Sequence, residues 1–70
     1  MLSASETLDS LEERARDSGN VETLISGRLR LDLEVVQGRA YWRVNGVQDT
    51  RQQACRALDH ARELRLKTWS

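Results

Sequence analysis

The side chains able to do chemistry in this chain are few and far apart. His60, the single histidine, stands next to Asp59 and one helical turn before Glu63. An imidazole and a carboxylate at that spacing could offer two ligands to a metal, but a protein metal site needs a third or fourth donor. No cluster of Cys and His supplies one. Cys55, the single cysteine, has Arg51 and Arg56 nearby, and such cations favour a thiolate. Nucleophilic catalysis also asks for a base and a group to orient it, and neither is recognisable here. Glu12-Glu13 would work as an acid–base pair only if held in unlike environments across a pocket, and on the outer side of a helix the two are simply solvated. Gly27 and Gly46 follow Ser26 and Asn45 singly, without the run of backbone amides that cradles phosphate. These residues assign no catalytic, cofactor-binding or metal site, so the chain reads as a non-enzyme that carries no cofactor.

Recognition chemistry is better represented. Tyr41 lies between Arg39 and Arg43 on alternate positions of one stretch, and Trp69 stands near the end of the sequence. Tyrosine, arginine and tryptophan are the side chains that most often anchor protein contacts. Arg39, Tyr41, Arg43 and Trp69 are therefore the candidate partner-binding residues, with Leu66 beside Trp69 in the same tail.

The element that must position them is a hairpin. Gln37-Gly38 separates two stretches whose apolar residues interlock in one register, pairing Val36 with Arg39, Val35 with Ala40, Glu34 with Tyr41, Leu33 with Trp42, Asp32 with Arg43 and Leu31 with Val44. In that register Leu29, Leu31, Leu33, Val35, Ala40, Trp42 and Val44 share a buried face. Arg30, Asp32, Glu34, Arg39, Tyr41, Arg43 and Asn45 share the wet one. Asp32 opposite Arg43 is an opposite-charge pair that favours the same alignment.

Ahead of the hairpin, Ser3 and Glu6 form a capping-box pattern, and Ala4, Leu8, Leu11 and Ala15 recur at helical spacing. This predicts a short amphipathic helix with a narrow stripe, suited to docking on one other helix, with Glu12 and Arg16 able to pair outside. Asp17-Ser18-Gly19-Asn20 stops it, Gly19 taking the C-cap. In residues 21–27 the apolar or Thr positions 21, 23 and 25 keep the parity of 29, 31, 33 and 35, which predicts one extended run bent at Gly27. A second hairpin turning at Ser26-Gly27 would instead bury Glu22 and turn Val21, Thr23 and Ile25 outward. The long run overhangs its hairpin partner and leaves Val21, Thr23 and Ile25 as an unpaired edge, for which a second copy of the chain is the expected cover and a capping contact from the first helix the simpler one. Asn45-Gly46 ends the last strand, and Asp49 with Gln52 opens a final helix whose Ala54, Ala57, Leu58, Ala61 and Leu64 gather on one arc, with Cys55 outside it and Glu63 able to pair with Lys67.

At seventy residues the chain is one small domain, of a size that draws little net stability from its own core and gains from a staple. One cysteine closes no internal bridge, so self-association or a partner is the remaining staple. No segment approaches the apolar length of a membrane span, and the opening residues lack a basic leader, so no membrane contact is expected and the cytoplasm is the expected compartment. The net charge is zero but uneven. Residues 1–35 hold four Arg against eight acids, and residues 36–70 hold seven basic residues against three acids. An acidic helix lying beside a basic one explains this, as would a nucleic-acid-facing half. Ten Arg against one Lys suits a bacterial or phage source.

The expected fold is α+β: helix, long or broken strand, strand, helix, with both helices on one face of a small antiparallel sheet and a homodimer continuing that sheet. The expected function is a non-catalytic protein–protein interaction module, such as a bacterial, phage or plasmid adaptor or stoichiometric inhibitor, binding itself and another protein. The alternative is a small DNA-binding accessory protein that reads through the hairpin or the last helix. Tyr41-Trp42-Arg43-Val44 ahead of a helix resembles the small DNA-binding modules at the start of some phage integrases, over about a third of the chain and without their excess of positive charge. That resemblance implies nucleic acid as a partner. Asp32 and Glu34 on the same ribbon face oppose phosphate.

Overall fold

The computed structural model describes residues 2–69, with side chains through Leu64. The order is α1 (Ala4–Ser18), β1 (Glu22–Ser26), β2 (Leu29–Val36), β3 (Arg39–Val44), β4 (Val47–Asp49) and α2 (Arg51–Trp69). The four strands form one antiparallel meander in sequence order, with both helices on one face, an α+β fold.

The central hairpin pairs as its side chains demand. All six β2–β3 partners, from Val36↔Arg39 to Leu31↔Val44, fall in the predicted register. Gln37 (φ 51°) and Gly38 (φ 79°) are both left-handed, the type I′ conformation whose twist matches the strands it joins. Leu29, Leu31, Leu33 and Trp42 are buried on the inner face, with Val35, Ala40 and Val44 packed against them.

α1 begins with the predicted reciprocal cap, Glu6 N–H to Ser3 Oγ and Ser3 N–H to Glu6 Oε1, both at 3.2 Å. It ends at Gly19 in the left-handed region (φ 71°). Its stripe of Ala4, Leu8, Leu11 and Ala15 is buried. α1 meets β1 and β2 as well as α2, so it docks more widely than a single helix seam would require. α2 contributes Ala54 and Leu58 to the core, with Ala57, Ala61 and also Cys55 half-buried beside them. Cys55 is thus nearer the core than its helical phase predicted, and Leu64, placed on the inward arc, is 52% exposed because the sheet ends before it.

Part of the charge asymmetry is met between the helices, at Arg51. Arg51 at the start of α2 reaches the Ser5 carbonyl at 3.3 Å, Glu12 at 3.5 Å and Asp9. About three turns further on, Arg62 donates to the Leu2 carbonyl at 2.8 Å and to Thr7 Oγ1 at 2.9 Å. Glu12 also pairs with Arg16 at 3.5 Å, as its spacing predicted.

Three expectations are corrected. Residues 21–27 do not continue β2 as a bent run. They turn back at Gly27-Arg28, and β1 lies antiparallel on β2 with Leu24 opposite Leu31 and Ser26 opposite Leu29. Gly27 (φ 61°) takes the first central position of a two-residue turn, where type II′ geometry asks for glycine. This leaves Ile25 70% exposed, forfeiting about 1.5–3 kcal/mol of burial. Several strand hydrogen bonds, each worth about 0.5–1.5 kcal/mol net, outweigh it. Asn45-Gly46 does not end the sheet but forms a second left-handed pair (φ 51° and 83°) that leads into β4. Asp49 does not cap α2: it is the last residue of β4, its Oδ1 accepts from Thr50 N–H at 2.8 Å, and Thr50 Oγ1 caps the helix by accepting from Gln53 N–H at 3.2 Å.

Candidate protein-binding face

With α1 and α2 on one side, the opposite side of the sheet is bare. Alternation sends Thr23 and Ile25 of β1, Arg30, Asp32 and Glu34 of β2, Tyr41 and Arg43 of β3 and Gln48 of β4 to that side. Register aligns Thr23, Asp32, Arg43 and Gln48 as one polar row across all four strands.

Asp32 is the centre of the row and the one buried polar residue among those described, at 7% exposure. Its carboxylate accepts from Thr23 Oγ1 at 2.6 Å and from Arg30 Nε at 3.3 Å. The Thr23 hydrogen bond is the main reason its pKa lies below the ordinary 3.8; burial opposes the shift, while the bond and charge of Arg30 and the charge of Arg43 reinforce it. The predicted Asp32–Arg43 register holds, but Arg43 leans instead toward Glu34, at 4.0 Å. The Arg43 side chain stays 43% exposed on this face.

Beside this row, Glu34, Val36, Tyr41, Arg43 and Gln48 line a shallow depression. Tyr41 is 36% exposed and Val36 44% exposed, so the depression presents an aromatic ring and an aliphatic wall between two charges of opposite sign.

Compared with known protein families, curated proteins and solved structures, the chain matches none. Its own geometry brings Arg39, Tyr41 and Arg43 together on β3, as predicted. Trp69 and Leu66 lie outside the residues whose side chains are described, as does the Glu63–Lys67 pair. Thr23 and Ile25 also sit on the bare side, at the β1 edge, with β2 between them and Tyr41, and Val21 is exposed just ahead of the strand. Val36 and Gln48 were missed as members of the face. Gln48 needs β4 to be there at all, and Val36 sits next to the turn, where its apolar character suggested no role.

The residues with catalytic potential stay apart. His60 is exposed and faces an open apolar groove between α2 and the sheet end, lined by Leu29, Val44, Ala57, Ala61 and Leu64 among others. Cys55 is a free, half-buried thiol. Glu12 is occupied by Arg16 and Arg51. Among the described residues no three His, Cys, Asp or Glu are grouped to hold a metal ion, and no helix is long and apolar enough to cross a membrane.

Proposed function

We propose that this protein is a non-catalytic protein-binding module that captures its partner on the bare side of the sheet, through Tyr41, Arg43 and Arg39 around the depression lined by Val36. The supporting observation is an ordered, helix-free face on which an aromatic ring and an aliphatic side chain remain exposed beside a fixed polar row. Tyr, with only two side-chain torsions, loses little freedom when bound, and a pre-organised surface loses less still. The role that suits such a surface is that of a small bacterial, phage or plasmid adaptor or stoichiometric inhibitor acting in the cytoplasm, where a half-buried free thiol such as Cys55 stays reduced.

The test is comparative capture from a lysate of the source organism. Wild type and Arg56→Ala, a change on the exposed side of α2, retain the same partner, whereas Tyr41→Ala and Arg43→Glu lose it. Capture that ignores both β3 substitutions refutes the reading. DNA binding makes the opposite forecast. Arg51 and Arg62 are engaged by α1 and the sheet arginines share their face with Asp32 and Glu34, so no retardation of random duplex DNA is expected at low salt. Retardation that fades steeply with salt would replace the protein reading with the nucleic-acid one.

A further inference from the structure

The two edges of the sheet are finished differently. β4 is three residues long and ends in Asp49, a short and charged edge of the kind that discourages pairing. β1 is longer, at five residues, and contains no Lys, Pro or bulge, its one charged residue, Glu22, alternating to the helix side opposite Leu33. The turn pair Ser26↔Leu29 closes a two-residue hairpin, so its backbone groups bond across the strands, and alternation assigns the same to Leu24 and Glu22. Thr23 and Ile25 therefore aim their N–H and C=O groups away from β2, at the open edge. Their side chains stand on the bare face, Ile25 at 70% exposure, and Val21, just ahead of the strand, is 46% exposed.

We propose that this edge is a homodimer seam in which β1 pairs antiparallel with β1 of a second copy about a two-fold axis at Thr23. This frame sets Thr23 against its own counterpart and Val21 against Ile25 of the other copy, so each exposed aliphatic covers the other and the outward backbone groups fall in hydrogen-bonding pairs. The same frame lays the β1–β2 turn, with exposed Arg28, beside the segment just ahead of the partner's β1, where α1 ends. That end offers exposed Asp17 and helix carbonyls that attract a cation, while Arg16 of the same turn is held by Glu12 and the Gly38 carbonyl. A second copy thus supplies both the missing strand and an opposite charge, which is why it is the assigned occupant rather than an unrelated strand. The result is a continuous eight-stranded sheet with two copies of the Tyr41 face on one side. The seam does not depend on the proposed function, because Tyr41 and Arg43 are two strands away from it.

Sedimentation of the wild type at about 100 µM should show a dimer, and Ile25→Lys, at a position exposed enough to leave folding intact, should weaken it more than tenfold while circular dichroism stays unchanged. In a Cys55→Ser background, mixing Val21→Cys chains with Ile25→Cys chains under mild oxidation should give a covalent heterodimer, since hydrogen-bonded partners about 5.5 Å apart at Cα are within disulfide reach. Either variant alone should remain uncrosslinked. A monomeric wild type, a dimer indifferent to Ile25→Lys, or single variants that crosslink as readily as the mixture would each overturn the seam.

Discussion

From one side of β2, Leu31 and Leu33 enter a core in which neither has any exposed surface; from the other, Asp32 is almost as well covered, at 7%, but by Thr23 and Arg30 rather than by a helix. The same strand is therefore held by two kinds of force. Apolar burial on the inner side is indifferent to salt and to moderate pH, whereas the outer side is fixed by an ionised group whose bonds can be titrated, screened or exchanged for those of a partner. A face ordered in this way is rigid enough to recognise another surface without needing a second layer to hold it.

Breaking the inner side gives the largest effect. Leu31→Ala should cost about 2–5 kcal/mol, a large share of the roughly 0.05–0.15 kcal/mol per residue that natural domains possess, so urea melts should show the midpoint moved to much lower denaturant. A loss under 1 kcal/mol would mean that the core does not rest on this leucine.

Asp32→Asn probes the other side and should cost roughly 1.5–3 kcal/mol at neutral pH, the range for hydrogen bonds to a charged group. Because the folded-state pKa lies below the ordinary 3.8, the unfolded chain binds its proton first as pH falls. The contribution of Asp32 is then complete above that value and is lost as pH drops through the lower, folded one. The difference between wild type and Asp32→Asn should shrink over that acid window. Thr23→Val, which removes the leading cause of the shift, should move the Asp32 carboxyl resonance titration back toward 3.8.

Smaller effects sharpen the contrast. Gln37 occupies a left-handed conformation that asparagine accepts more readily, so Gln37→Asn should raise stability by a few tenths to about 1 kcal/mol. Arg51→Ala, which removes solvent-accessible ion pairs to Asp9 and Glu12, should cost about 0.2–1 kcal/mol and less in high salt. Tyr41→Ala should change stability by no more than about 0.5 kcal/mol.

The central hairpin and α1 were legible because each carries redundant signals. In β2–β3 the turn residues, the apolar alternation and the Asp32–Arg43 pairing agree on one register, and in α1 the cap, the stripe and Gly19 agree on both ends. β1 offers no such agreement. Parity there favoured a bend, because reversal at Gly27 turns Thr23 and Ile25 away from the face of Leu31 and Leu33, yet the strand hydrogen bonds gained by reversal outweigh the burial given up. β4, at three residues, is too short to show a pattern at all. The error over β1 propagated to the site. With β1 drawn as an extension of β2, nothing lay beside Asp32 to cover it, so its burial and its bond to Thr23 were invisible, and the polar row looked like an ordinary solvated surface.

All three strand connections contain two residues, so each neighbour in the sheet is also a neighbour in sequence. Such local pairing makes the meander fast to form. The costliest closure left is the docking of α2 on α1, which joins the two ends of the described sequence around the whole sheet.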